Sequence, residues 1–310
     1  MTPLTGQIVL ITGASGGLGR ALALALAPLG ARLALNARRA DALDAVVAEV
    51  AALGGEARAF PGDVADGSVP PALVGAVEAA LGPVDVLVNN AGRADQGLTE
   101  LLDDATLEAM LDLNLRAPLR LCQAVLPGMR ARGRGHVVNV VSHAALHGFG
   151  ATPAYAMAKA ALHALTLNLS YELVGTGVDV TGIYPGLVDT GFAQAMTPEG
   201  GTTAELMTWM RNFRAGLRAS PTFKAIERAQ QAPEVAQVIV SALLSPGQLM
   251  VFTQPVHQAA AADMIAQPKE WARESQAFYG AFLAPMREML VRFTRLAREA
   301  RSKAKGDEGG

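Results

Sequence analysis

The chain has little of several things, and each shortage removes a class of explanation. It holds a single cysteine, Cys122, in 310 residues, so no internal disulfide can staple it. Cys122 lies in an apolar helical run and reads as a small core residue, which fits a reducing, cytoplasmic setting. Aromatic residues make up 5% and charged residues 17%, and the formal net charge is -2. That balance offers no basic surface for nucleic acid. No uninterrupted apolar run reaches the ~20 residues a membrane span needs. The alanine-rich stretch from Ala21 to Ala27 stops at Pro28. No basic segment, apolar run and cleavage site open the chain, so no targeting segment is expected. The five histidines, His136, His143, His147, His163 and His257, show no metal-ligand spacing, and no metal site is expected. His143 and His147 are four apart but fall in a glycine-containing stretch, read as a loop or pocket wall.

What the chain does have is a large apolar fraction, 51%, in a regular alternation. Strand-like runs occur at Ile8 to Thr12, Leu33 to Asn36, Ala57 to Phe60, Val84 to Asn89, Val137 to Val141, Val178 to Tyr184 and Gln248 to Phe252. Between them lie helical patterns at Leu18 to Leu29, Ala40 to Leu53, Pro71 to Leu81, Thr106 to Arg132 with a kink expected at Pro118, Tyr155 to Leu173, and Pro233 to Leu244. Apolar strands separated by helices predict an α/β fold of three layers, a Rossmann-like doubly wound parallel sheet covered on both faces. One catalytic domain over 1–255 is expected, with a lid segment at about 191–231. A helical C-terminal extension with a frayed tail follows over 256–310.

The first strand ends in Thr12-Gly13-Ala14-Ser15-Gly16-Gly17-Leu18-Gly19. Glycines there permit a tight turn and close approach of phosphate oxygens to backbone N–H groups at a helix N-terminus. The second strand ends in Asn36-Ala37-Arg38-Arg39, where a site selective for NAD usually carries a carboxylate. A guanidinium at that point suits a 2′-phosphate, so NADP(H) is expected in preference to NAD(H), with Arg38 as the main contact.

Tyr155 and Lys159 stand four apart on a helical pattern and share one face. A nearby ammonium is expected to lower the phenol pKa from about 10 and let Tyr155 exchange a proton with a carbonyl or alcohol oxygen. Ser142, thirteen residues before Tyr155 at the end of the fifth strand, can hydrogen-bond the same oxygen.

Taken with Asn89-Asn90-Ala91-Gly92, Asn114 and Tyr184-Pro185-Gly186, these motifs resemble the short-chain dehydrogenase/reductase family over roughly residues 4–252. The resemblance implies hydride transfer between nicotinamide and a carbonyl or alcohol carbon. It implies Tyr155 as acid/base, Ser142 as its partner, Lys159 also on the nicotinamide ribose, and Asn114 holding a water that links Lys159 to solvent. It implies further that Gly13, Ser15, Gly17, Leu18 and Gly19 surround the pyrophosphate and that Asp63 and Val64 meet the adenine. Asn89, Ala91 and Gly92 would line the cleft and support the sheet. Pro185, Gly186, Val188 and Thr190 would face the nicotinamide end. Homo-oligomers are the family expectation, with the helical stretches 106–132 and 155–173 as interface.

Two further stretches stand out, one at the natural lid position and one, beyond the last strand, that departs from the family pattern. The stretch from Gly191 to Gln231 carries Met196, Met207, Trp209, Met210 and Phe213 where a lid would lie. These side chains either fill core or shape a pocket for a medium-to-large apolar carbonyl or alcohol. After Phe252 the chain continues into an amphipathic stripe, Tyr279, Phe282, Leu283, Met286, Met289, Leu290, Phe293 and Leu296, with seven Lys/Arg against two Asp/Glu in residues 287–305. Packing on the chain itself or a second copy, capping of the cleft, and contact of 279–303 with an anionic membrane surface all remain open. The alternative of a different class is a nucleotide-sensing protein on the same fold without turnover, to which the four residues Ser142, Tyr155, Lys159 and Asn114 would be superfluous.

Overall fold

A computed structural model of the chain describes residues 4–95, 97–148, 151–190 and 229–267, with isolated helical positions between 269 and 295. Nearly all of the expected lid and the whole apolar stripe of the C-terminal extension lie outside the described residues.

Seven parallel strands form the central sheet: β1 (Ile8–Thr12), β2 (Arg32–Ala37), β3 (Glu56–Pro61), β4 (Val86–Asn89), β5 (Gly135–Val140), β6 (Val178–Tyr184) and β9 (Met250–Phe252). Their order is β3-β2-β1-β4-β5-β6-β9. Two further short strands, β7 (Val188–Asp189) and β8 (Gln230–Gln231), pair with each other in parallel. Side chains along a strand alternate between faces, and β1 sorts its residues accordingly. Val9 and Ile11 join one buried cluster with Leu22, Leu26, Val46, Ile239 and Leu243. Ile8 and Leu10 join another with Leu73, Val77, Leu121, Val125 and Leu169. The first cluster is closed by α1 (Gly17–Leu26), α2 (Ala40–Ala52) and α8 (Ala232–Leu244), the second by α3 (Val69–Leu81), α5 (Ala117–Arg132) and α7 (Pro153–Glu172). Burying one Leu or Ile is worth about 1.5–3 kcal/mol. Exposed ion pairs such as Arg32–Glu56 are screened by solvent and add little, so the two apolar layers carry the fold.

The long helix expected over 106–132 is two helices. α4 (Asp104–Leu111) passes through a π-helical turn, Asp112–Arg116, into α5. Pro118 kinks nothing, because it sits in the first turn of α5, where its missing N–H is harmless. The extra residue of the π turn displaces the register and leaves Asn114 fully buried. The stretch after Ser142, expected as loop, contains one helical turn, α6 (Ala144–His147), and α9 (Pro255–Ala266) follows β9. β4 begins at Val86 rather than Val84; Asp85 just before it already bonds both neighbours, its amide donating to the Ile8 carbonyl and its carbonyl accepting from the His136 amide, while its side chain accepts the Ile8 amide.

The strands on either side of β1 are β2 and β4, so the connections reverse direction there. Open sheets of this kind bind ligands outside the carboxyl ends of the strands at such a reversal. The glycine loop and the first turns of α7, which carry Tyr155 and Lys159, lie at that edge.

Candidate active site

The turn from β1 into α1 is locked to the end of β4. Thr12 Oγ1 accepts the amides of Asn90 and Ala91 at 3.1 and 3.0 Å. Asn90 Nδ2 donates back to the carbonyl of Thr12 at 2.8 Å and to that of Gly13 at 3.3 Å. Gly13 holds φ at +67°, and a Cβ there would stand 2.9 Å from the Cα of Ala91. A Cβ on Gly19 would overlap the Gly13 carbonyl. α1 begins without a side-chain cap at Gly16, which leaves its first amides to an anion. These features form a cradle that side chains would fill, and they fit a pyrophosphate. Ser15 and Leu18 are partly exposed in the same loop. A Cβ on Gly17 would meet the Thr190 side chain at 3.1 Å, so Thr190, directly after β7, lies over the loop.

Arg38 is exposed at the end of β2, and the loop is tied to that strand by Ala14 N–H to the Asn36 carbonyl at 2.9 Å. Asp63 is exposed beyond β3 and folds back to accept the Ala65 amide, while Val64 is buried. Asn89, expected to line the cleft and support the sheet, is buried at the end of β4. Its Nδ2 turns inward to Asn139 Oδ1 at 2.8 Å, and Asn139 in turn donates to Thr166 Oγ1 at 2.9 Å. Asn89 therefore braces β4 against β5 and α7. Cys122 packs beside it, and burial pushes its thiol up to about 12, as a core residue requires.

Ser142, Tyr155 and Lys159 converge. Ser142 follows β5 and accepts the Ala144 amide at 3.1 Å. Next to it, His143 donates its amide to the Pro185 carbonyl at 3.0 Å, joining the end of β5 to the end of β6. Tyr155 and Lys159 stand on the first two turns of α7, and the hydroxyls of Tyr155 and Ser142 are hydrogen-bonded. Lys159 Nζ lies 5.9 Å from the centre of the Tyr155 ring and donates to the Val140 carbonyl at 2.8 Å.

The expected lowering of the phenol pKa is reversed among the chain's own groups. Burial of the hydroxyl pushes Tyr155 up to about 12, opposed only by the Ser142 bond. Burial also brings Lys159 down to about 7, so its ammonium is only part-charged near neutrality and gives the phenol limited help.

Asn114 donates from Nδ2 to the carbonyls of Arg93 and Met110 at 3.0 and 3.1 Å, while its Oδ1 is buried without a hydrogen-bond partner. A Cβ on Gly92 would stand 2.8 Å from that oxygen and 3.6 Å from Lys159 Nζ. An acceptor buried beside an amine suits a water between them.

The residues missed by sequence are those that fasten the site. Thr12 and Asn90 hold the loop, Val140 receives Lys159 through its backbone, and Asp95 accepts the Tyr155 amide at 2.9 Å. Thr12 and Asn90 carry a signal, each as a member of a motif at the end of β1 or after β4, whereas Val140 and Asp95 carry none. Among the described residues, no cluster of three or more His, Cys, Asp or Glu is placed to hold a metal, and no helix is long and apolar enough to cross a membrane.

Comparison with known proteins agrees with this geometry. The short chain dehydrogenase family model matches residues 7–200. A ketoacyl reductase from Nostoc sp. is 40% identical over 61% of this chain and 66% of its own length. A 3-oxoacyl-[acyl-carrier-protein] reductase from Synechocystis sp. is 36% identical over 64% of this chain and 81% of its own length. A putative ketoacyl reductase of the monensin polyketide synthase, from Streptomyces virginiae, is 39% identical over 63% of this chain and 75% of its own length. Among solved structures, a metagenomic short-chain oxidoreductase in complex with NADP superposes with a TM-score of 0.63 at 29% identity, covering 80% of this chain and 96% of the other. The chain belongs to the short-chain dehydrogenase family of oxidoreductases.

Proposed function

We propose that the protein reduces the carbonyl of a medium-to-large apolar substrate, a 3-oxoacyl thioester or a related ketone, with NADPH, or runs the reverse oxidation. The observation that carries this is the convergence of Ser142, Tyr155 and Lys159 beside the glycine cradle. Bound NADPH supplies the hydride. The chain's own groups do the rest. Ser142 and Tyr155 hydrogen-bond the carbonyl oxygen and oppose the charge that develops on it. Tyr155 gives the proton. Lys159 replaces it by way of a water held at Asn114 Oδ1, and its ammonium also holds the nicotinamide ribose. Gly13, Ser15, Gly17, Leu18 and Gly19 hold the pyrophosphate, Asp63 and Val64 the adenine, and Arg38 the 2′-phosphate. Ala91, Gly92, Pro185, Gly186, Val188 and Thr190 border the nicotinamide end. Support for the substrate class comes from the names of the Nostoc, Synechocystis and Streptomyces relatives and from the methionine- and tryptophan-containing stretch at 191–231. Catalysis over 1–255, a C-terminal extension over 256–310, assembly through α5 and α7, and a cytoplasmic location belong to the same proposal.

The test is NADPH oxidation across a panel of 3-oxoacyl thioesters, apolar ketones and small polar ketones, run beside Tyr155→Phe. Turnover of apolar members that the variant abolishes is the expected result. NADPH binding without turnover of any member would favour a nucleotide sensor.

A further inference from the structure

The strap that leaves β4, described over residues 90–95 and 97, touches the cofactor loop, the Asn114 and Lys159 side chains and the start of α7 in turn. Asn90 clamps the carbonyls of Thr12 and Gly13 in the cofactor loop. Gly92 lies beneath Asn114 Oδ1 and Lys159 Nζ, and the Arg93 carbonyl receives Asn114. The strap ends on the start of α7. Asp95 Oδ1 accepts the backbone N–H of Tyr155 at 2.9 Å, its carboxylate also accepts that of Ala154, and Gly97 N–H donates to the Ala151 carbonyl at 2.9 Å.

The amides at this helix end can be counted. Pro153 has none, and Ala156 already reaches the Thr152 carbonyl at 3.0 Å. Ala154 and Tyr155 carry the donors that no turn of the helix precedes, and Asp95, sixty residues away in sequence, takes both. Asp95 is 9% exposed, so water cannot readily stand in for it. A carboxylate there also meets the positive end of the helix dipole, and Arg93 lies near enough to act on it. The backbone so held belongs to Tyr155 itself, whose hydroxyl must meet Ser142.

We propose that Asp95 is a positioning residue for the reaction: from the strap it caps α7 and fixes where Tyr155 stands relative to Ser142 and the cofactor loop. This rests on the functional reading above, with Tyr155 as proton donor. Asp95 touches neither substrate nor cofactor and acts through the tyrosine. The strap also makes the cofactor loop and the tyrosine parts of one connected unit, so losing the cap disturbs the proton donor while the glycine cradle, held by Asn90, stays in place.

The experiment compares wild type with Asp95→Ala and Asp95→Asn, and with Asp95→Ser where the alanine variant does not fold. The serine hydroxyl is too short to reach both amides. In Asp95→Ala, kcat at saturating NADPH and substrate falls about tenfold or more. The NADPH dissociation constant moves less than about twofold, since the cradle does not depend on the cap. The amides of Ala154 and Tyr155 exchange with deuterium about tenfold faster or more. Asp95→Asn keeps an acceptor oxygen and recovers kcat to within about threefold. A purely structural role would lower the melting temperature of Asp95→Ala but leave kcat unchanged well below it, and that result overturns the proposal. Unaltered exchange at 154 and 155 overturns it too, while leaving the reductase reading intact. A wild type that turns over no carbonyl, with Tyr155→Phe indistinguishable from it, overturns both.

Discussion

Lys159 Nζ donates to the carbonyl oxygen of Val140 at 2.8 Å, two residues before Ser142, so one hydrogen bond fastens the tyrosine helix to the strand that presents the serine. The lysine is 4% exposed, and burial brings its pKa to about 7 from an ordinary 10.5. Between those values the unfolded chain binds a proton that the folded chain does not, so this residue makes stability rise with pH through that window and weighs against folding below it. Lys159→Met is therefore expected to be more stable than wild type near pH 6.5, by an amount on the order of a few kcal/mol less the cost of the lost Val140 bond. The advantage shrinks toward about pH 10. Urea unfolding of both proteins at two pH values reads the difference. A gap that does not change with pH would mean that Lys159 keeps its ordinary pKa in the fold. Turnover of the methionine variant is expected to be lost throughout.

Tyr155→Phe removes the proposed proton donor and one hydrogen bond to Ser142 while keeping the ring on α7. A fall in kcat of about 100- to 10,000-fold is expected, with NADPH affinity retained. Ser142→Ala leaves the phenol in place and should lose less, about 100- to 1,000-fold. Steady-state kinetics with cofactor titration by fluorescence checks both. A phenylalanine variant that still turns over would move the proton chemistry to another group.

Arg38→Ala tests the choice of cofactor. A guanidinium that makes charge-assisted hydrogen bonds to the 2′-phosphate is worth about 1.5–3 kcal/mol, so NADPH should bind about 10- to 100-fold more weakly. NADH, which has no such phosphate, should be unaffected. Equal losses for the two cofactors would show that Arg38 serves the loop rather than the phosphate.

How far the sequence could be read depended on whether a feature was local. The unbroken apolar run Ile8-Val9-Leu10-Ile11 is written in consecutive residues, and such runs separated by helical patterns predict the sheet buried on both faces that the structure has. The glycine turn and the four-residue step from Tyr155 to Lys159 are local too. Asn114 was recognised by resemblance, but its π turn was not, because Pro118 drew attention to the wrong residue and a one-residue change of register leaves no mark in composition. Asp95 and Asn139 were missed for a different reason. Each partners a group 27 to 60 residues away, and nothing beside them in sequence distinguishes a buried carboxylate or amide from one in solvent. The phenol pKa is not legible in the four-residue spacing, because the spacing shows the opposite charge and not the burial that acts on both groups.

The buried chain from Asn89 through Asn139 to Thr166 makes the last prediction, and it concerns stability rather than chemistry. Asn139 and Thr166 are fully buried, and Thr166 Oγ1 both accepts from Asn139 and donates to the Leu162 carbonyl at 2.8 Å. Thr166→Val keeps the volume and shape of the side chain but removes the acceptor, which leaves Asn139 Nδ2 unpaired in the core. Stranding a buried amide donor costs about 1–3 kcal/mol, a large share of the stability of an ordinary domain. The loss should appear as a lower urea midpoint with an unchanged slope. A second substitution, Asn139→Leu on the Thr166→Val background, removes the stranded group, but it takes from Asn89 Nδ2 its oxygen acceptor and leaves that amide only the 3.7 Å contact to Cys122 Sγ. The double variant is therefore expected to be no more stable than the single one. Recovery on adding Asn139→Leu would mean that Asn89 does not depend on Asn139, and that the three side chains are separate contacts rather than one linked brace between β4, β5 and α7.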